Sequence, residues 1–411
     1  MTTTAPYMKP IRTRLAAAAV AGALISTAAL ASAGAASASA TSGRQNAAAL
    51  RPALRRDLSR YLTARRTAEH ISAVSLRVTF AGSRSPISLA AGTTRYDGGP
   101  PVPASALWQI GSNTKAFTAV IMLQLEAEGK LSIGDPIGKW LPQYPAWRRI
   151  TIRQLLDMTS RIPDYLYQPA FIAAFAANQR TRFTAGRLVS YVADLPLGPA
   201  GWHYSNTDYL LAQMIIQKVT RDSYADQLTR RIVTPLRLHT TCLAPATCPA
   251  SDASRMPAGY FDIAGAPPSL IGKRMPALAL TWAQAAGAIV SSLADMATWD
   301  RALYTGRLLP SRQQHQLESL VSEATGKPIR RATADTAGYG LGVQQVFNPQ
   351  TGTFWAYEGQ AFGARVIHYY FPRTGLLIAV AANSSTTNDD LSNLAGAVYQ
   401  TLKKAGAVPV R

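Results

Sequence analysis

The chain has 411 residues, 47% of them hydrophobic and 16% charged, which excludes a disordered protein and is long enough to bury a full core across two or three domains. Its formal charge is +20, yet the arginines (Arg51, Arg77, Arg95, Arg153, Arg221, Arg301, Arg373) are scattered and not interleaved with aromatics. The charge therefore describes a basic solvated surface and no specific nucleic-acid partner, with loose attraction to anionic wall polymers or headgroups as the remaining reading.

The first forty residues form an export signal rather than part of a fold. Lys9, Arg12 and Arg14 make a cationic start, an apolar stretch follows to about Leu30, and a tract of Ala, Ser and Gly offers Ala-x-Ala cleavage sites. Cutting is expected near Ala38 or Ala40. No Cys stands there to carry a lipid anchor, and no later segment has the length of a membrane span. The mature protein is thus expected outside the cell, free of the membrane.

A helix is predicted over Ala48–Thr67, then strands over His70–Phe80 and Pro86–Ala91. After the Pro-rich turn Gly98–Pro103, a helix is expected to begin at Ser112, to send Phe117, Val120, Ile121 and Leu125 inward, and to stop at Gly129. From there to about Lys273 the pattern is helices and loops with few strand signals. Cys242 and Cys248 fall in this stretch. In an oxidising compartment they are expected to pair, closing a very short loop, the alternative being two idle thiols. The five histidines and these cysteines show no metal-ligand spacing, so neither metal nor cofactor is expected.

A helix returns at Leu293–Tyr304, with Ser292 and Asp295 at capping-box spacing and Gly306 past its end. Strands follow at Gly340–Phe347, Thr353–Tyr357, Ala364–Phe371 and Leu376–Ala382, and a last helix runs from about Asp390 to Lys403. The order predicts an α/β fold: an antiparallel sheet of about five strands flanked by helices. Residues 45–129 and 276–411 build it, and an all-helical insertion occupies 130–275.

Three short motifs carry chemistry. Ser112-Asn-Thr-Lys115 is a Ser-x-x-Lys tetrad: positions i and i+3 share a helix face, so the amine reaches the hydroxyl. The helix start adds partial positive charge for a developing oxyanion. Tyr204-Ser-Asn206 precedes a helix, where an ordinary Asn or Ser cap is the bland reading. Tyr357-Glu358-Gly359 lies at a predicted strand end, before Gly363.

In spacing, order and flanks these motifs resemble the serine β-lactamase and penicillin-binding protein superfamily, in the branch of class C β-lactamases and DD-carboxypeptidases. Ile150–Tyr165, Tyr204–Leu211, Ala286–Asp295 and Tyr339-Gly-Leu-Gly342 are similar to family segments too, so the resemblance spans about residues 45–403. It implies that Ser112 attacks a carbonyl and forms an acyl-enzyme, with Lys115 or Tyr204 as the base. It further implies that Asn206 orients the substrate amide, and that the N–H groups of Ser112 and Gln360 form the oxyanion hole.

The third motif departs from the family, which usually places Lys or His where this chain has Tyr357. A phenol brings no positive charge to a substrate carboxylate, and Glu358 next to it favours a substrate carrying an amine. Arg365 would restore the charge if it faced the cleft. Arg161 stands where the family usually has Gly. The expected function is a secreted serine acyl-hydrolase, a D-alanyl-D-alanine carboxypeptidase-like peptidase or related amidase acting on a small acyl or peptide substrate, cell-wall peptide included. The alternatives are an esterase or β-lactamase of the same family, or a penicillin-binding sensor without turnover. No Gly-x-Ser-x-Gly elbow supports a Ser-His-Asp hydrolase.

Overall fold

The computed structural model describes residues 47–82, 85–388 and 390–408; the expected signal, residues 1–40, lies outside them. Helix α1 (Ala47–Arg65) places Leu50, Leu54, Leu58 and Tyr61 on one buried stripe, as their spacing of three and four dictates. The closing helix α5 (Leu391–Lys404) does the same with Leu394, Ala395, Val398 and Leu402. Both cover one face of the main sheet.

That sheet has nine antiparallel strands: β1 (Ala73–Thr79), β2 (Ile87–Gly92), β3 (Leu320–Ser322), β4 (Pro328–Ile329), β5 (Gly338–Tyr339), β6 (Gln344–Asn348), β7 (Gly352–Ala361), β8 (Ala364–Phe371) and β9 (Leu376–Ala382). Their spatial order is β2-β1-β9-β8-β7-β6-β5-β3-β4. Every residue of β8 and β9 is buried, because both faces are covered. Alternation assigns Ile367, Tyr369, Ile378 and Val380 to the α1/α5 side. Val366, Tyr370, Leu377, Ala379 and Ala381 go to the other side. There they meet α2 (Thr114–Ala127) and α4 (Leu293–Tyr304), locked together by Phe117 stacked on Trp299 at 3.6 Å. Each such Leu or Val contributes about 1.5–3 kcal/mol by leaving water.

The sheet has more strands than the five or so expected. The additions, β3, β4 and β5, are two or three residues long, too short to show a period of two in sequence. Of the strand expected at Gly340–Phe347 only residues 344–347 are strand, in β6; residues 340–343 form the turn from β5, with Gly342 at φ +74°. The regular structure of the insertion at 130–275 is mostly helical, its longest helix being α3 (Asn206–Thr220), but it is not all helix. Cys242–Leu243 pairs with Ile289–Ser292, and Gly259–Asp262 pairs in parallel with Ser384–Thr386. These pairings belong to two small three-stranded sheets separate from the main one. Cys242 and Cys248 are joined in a disulfide.

Candidate active site

Ser112 sits in a single 3₁₀ turn, Gly111–Asn113, and the α-helix proper starts at Thr114, two residues later than expected. The turn is pressed against β7. A β-carbon on Gly359 would lie 1.9 Å from the Ile110 carbonyl oxygen and 2.7 Å from the Ser112 nitrogen. One on Gly111, at φ +52°, would lie 2.7 Å from the Gln360 nitrogen. Only glycine tolerates either approach, and the two together bring the Ser112 and Gln360 N–H groups to one patch of backbone. Asn113 fastens the turn from below: its Nδ2 donates to Ile110 O and Val366 O, both at 2.9 Å. Its Oδ1 meets His368 Nδ1 at 2.9 Å, and Tyr304 Oη meets His368 Nε2 at 2.7 Å. Burial holds His368 down at about 3, so the ring is neutral, with Nδ1–H donating and Nε2 accepting.

The Ser112 hydroxyl lies between two partners from different elements. Tyr204 Oη donates to Ser112 Oγ at 2.6 Å, and Lys115 Nζ lies 3.1 Å from the same oxygen. Lys115 is completely buried and also donates to Asn206 Oδ1 at 2.7 Å and to Ala286 O at 2.8 Å. Burial lowers its pKa to about 7, against the opposing pull of Asp164 and Asp208. Burial drives the Tyr204 phenol well above its ordinary value, and Tyr357 adds to that. At neutral pH the tyrosine is a donor, whereas the lysine is poised to lose its proton. A neutral Lys115 gives two N–H bonds to Asn206 and Ala286 and accepts the Ser112 proton on its lone pair.

Asn206, at the head of α3, is held by the protein at both ends of its amide. Besides accepting from Lys115, it donates to Asp164 Oδ2 at 2.8 Å. Burial raises both the Asp164 and Asp208 carboxyls, and Ser160 Oγ lies 2.7 and 2.8 Å from the two Asp208 oxygens. Sequence reasoning passed over Asp164, although it stands inside the family-like segment Ile150–Tyr165. It passed over the Ala286 carbonyl too, because a backbone acceptor leaves no side-chain signal.

The third motif lies in mid-strand rather than at a strand end. Tyr357 is buried, hydrogen-bonds to Tyr204 and to Tyr339 Oη at 2.8 Å, and shares the sheet face of Gly359. Burial raises its phenol far above the ordinary value. Glu358 borders the cleft, but alternation puts its side chain on the face that carries Phe354 and Ala356, away from Ser112. Gln360 follows Glu358, and its Oε1 accepts from Thr386 N at 2.9 Å. Arg365 does not face the cleft. It is fully buried, 2.7 Å from Glu69 Oε2 and 2.9 Å from Ser384 O. Arg161 adopts φ +70°, which accounts for glycine being usual at that position, and its Nε donates to Gly198 O at 2.6 Å.

The cleft over Ser112 is lined by one apolar group, Leu166, Ile263, Trp282 and Phe362, with the last two rings stacked at 4.0 Å. A second group comprises Trp202, Tyr339, Gln344 and Glu323. Among the described residues no Lys, Arg or His lines the cleft, whereas Glu323 does. Among the described residues no group of three or more His, Cys, Asp or Glu is placed to hold a metal ion, and no helix is long and apolar enough to cross a membrane.

A family model described as Beta-lactamase matches residues 58–403. Penicillin-binding protein 4* of Bacillus subtilis (strain 168) is 26% identical over 292 residues, covering 67% of this chain and 61% of that protein. Protein flp of Staphylococcus aureus (strain MW2) is 34% identical over 141 residues, 33% of this chain and 28% of its own length. The chain thus spans about three fifths of the first relative and under a third of the second. Among solved structures, a D-stereospecific amidohydrolase from Streptomyces sp. superposes with a TM-score of 0.71 at 28% identity, covering 85% of this chain and 98% of that one. A D-amino acid amidase from Ochrobactrum anthropi SV3, complexed with L-phenylalanine, has a TM-score of 0.71 at 23% identity, covering 87% and 99%, and shares the fold.

Proposed function

The chain belongs to the beta-lactamase family, a family of serine hydrolases, and from that premise we propose that it is a secreted amidase or peptidase working through an acyl-enzyme on Ser112. The observation that carries this reading is the Ser112 hydroxyl held at 2.6 and 3.1 Å between a phenol that keeps its proton and an amine lowered to about 7. A site without turnover has no use for that arrangement. The D-stereospecific amidohydrolase, similar over 98% of its length, points in the same direction. The cationic start and small-residue tract of residues 1–40 support export.

In acylation Lys115 takes the Ser112 proton as Oγ bonds to the substrate carbonyl carbon, and the Ser112 and Gln360 N–H groups receive the oxyanion. As the carbon–nitrogen bond breaks, Tyr204 gives its proton to the leaving amine. The resulting phenolate is stabilised by the new Lys115 ammonium, 4.7 Å from the ring centre. In deacylation the phenolate takes a proton from water, the hydroxide attacks the ester, and Lys115 returns its proton to Oγ. Every proton is accounted for, and lysine is the base for Ser112.

The reading favours uncharged amides over substrates with a free C-terminal carboxylate, since the lining residues bring no cation and Arg365 is engaged with Glu69. A charge-assisted bond forgone there is worth about 1.5–3 kcal/mol, one to two decades in kcat/KM. Rates on one D-Ala-D-Ala peptide with its C-terminal carboxylate free or amidated test this. The amidated peptide should be faster; a clear preference for the carboxylate would show that the cleft finds its charge elsewhere.

A further inference from the structure

Glu323 belongs to none of the sequence motifs, yet it lines the same cleft as Ser112. It opens the turn between β3 and β4, and that turn is folded down onto the segment leading to Tyr204. A β-carbon on Gly326 would lie 2.7 Å from the Gly201 carbonyl carbon and 2.8 Å from the Trp202 nitrogen, so the two backbones are in contact. Glu323 N donates to Ala337 O at 3.1 Å, and Gln344 Nε2 donates to Glu323 Oε1 at 2.5 Å. The backbone of Glu323 is therefore held by Ala337 and its carboxyl by Gln344. Tyr357 of the third motif lines the same cleft. Two aromatic rings line the same cleft: Trp202 and Tyr339, with their centroids 5.4 Å apart.

A carboxylate half-buried in a cleft wall is costly unless it is paired, and one amide donor does not repay an ion. Accordingly burial raises Glu323 to about 7. An incoming ammonium would restore the ionised form, make charge-assisted bonds to it, and present its charge to the neighbouring ring faces. Glu358, the acid the sequence offers for this purpose, lies on the opposite sheet face.

We propose that Glu323 is the specificity-determining residue of this cleft and binds the free ammonium of an aminoacyl amide, with the Trp202 and Tyr339 rings beside the cation. This rests on Ser112 being the acylated residue, and it adds the substrate class: amides of amino acids or peptides with an unblocked amine near the scissile bond.

The experiment uses D-alanine p-nitroanilide and its counterpart without the amine, propionyl p-nitroanilide, with wild type, Glu323→Gln and Glu323→Asp. Wild type should prefer the amine. Glu323→Gln should cut kcat/KM for the amine substrate by about 10–100-fold more than for the other, the range of a lost bond to a charged group. Glu323→Asp should retain part of the preference. Equal losses on both substrates would mean that Glu323 only ties the hairpin down and would overturn the proposal, as would a wild type indifferent to the amine. To separate a folding defect in Glu323→Gln from a lost ammonium site, wild-type Ser112 is also labelled with a fluorophosphonate in the presence of D-alaninamide or propionamide. D-Alaninamide should protect at a concentration at least about tenfold lower. Labelling with no such difference overturns the ammonium site alone, whereas a Ser112 that never labels overturns the acyl-enzyme reading beneath it.

Discussion

Replacing Lys115 by Met keeps the length of the side chain, removes the amine and sets two effects of similar size against each other. Asn206 Oδ1 and Ala286 O lose their donor at 2.7 and 2.8 Å. A stranded buried acceptor costs about 1–3 kcal/mol, so the pair costs about 2–6 kcal/mol. Against this, wild type carries the penalty of an amine moved by burial from 10.5 to about 7. At about 1.4 kcal/mol per pH unit that penalty is about 5 kcal/mol below neutral pH. The folded pKa lies below the unfolded one, so between about pH 7 and pH 10.5 the unfolded chain binds the extra proton and wild-type stability rises with pH. Met has no such dependence. Urea unfolding followed by tryptophan fluorescence should find Lys115→Met within about 2 kcal/mol of wild type near pH 6. Relative to wild type it should then lose about 2–3 kcal/mol by about pH 9. Its kcat should fall about 10²–10⁴-fold, as expected for a lost base. A variant more destabilised at pH 6 than at pH 9 would refute the reasoning, because it would mean that the buried amine stabilises the fold as a cation.

Tyr204→Phe should lower kcat by about 10²–10⁴-fold while kcat/KM still rises through pH 7, since the Lys115 limb survives; steady-state pH profiles check both. Gly359→Ala forces a carbon to 1.9 Å from Ile110 O and parts the backbone patch at Ser112 and Gln360. It should cost about 10²–10³-fold in kcat, the scale of a lost oxyanion donor, while circular dichroism shows the fold retained. Glu69→Ala removes the carboxylate 2.7 Å from the buried Arg365. It should cost about 3–5 kcal/mol in urea unfolding without changing the preference between amidated and free peptides.

The fold was legible where a long period exists. The helices α1 and α5, the strands β8 and β9, and the fold class follow from runs long enough to carry their own pattern. Two-residue strands have no period, so β4 and β5, and the pairing of Cys242–Leu243, appear only when their partners are in place. The site divides in the same way. Ser112, Lys115, Tyr204 and Asn206 stand in motifs whose chemistry fixes residue type, and the structure brings all four together. Arg365 could not be judged from sequence, because whether a strand residue faces the cleft or Glu69 depends on a register that no motif reports. Glu358 misleads for the same reason: it is adjacent to Tyr357 in sequence and opposite to it across the sheet. Glu323 left no trace, since a lone acid in a hairpin turn ordinarily means a solvated loop, and only the hairpin's contact with Gly201 and Trp202 brings it into the cleft.

The central claim is that Ser112 is a nucleophile activated by Lys115, and intact-mass analysis after fluorophosphonate treatment tests it most directly. The account predicts one adduct per chain, located on the peptide containing Ser112 and absent from Ser112→Ala. Its rate of formation should rise with pH through about 7 as Lys115 gives up its proton. A folded protein that takes no adduct, or an adduct of unchanged rate in Ser112→Ala, would contradict it.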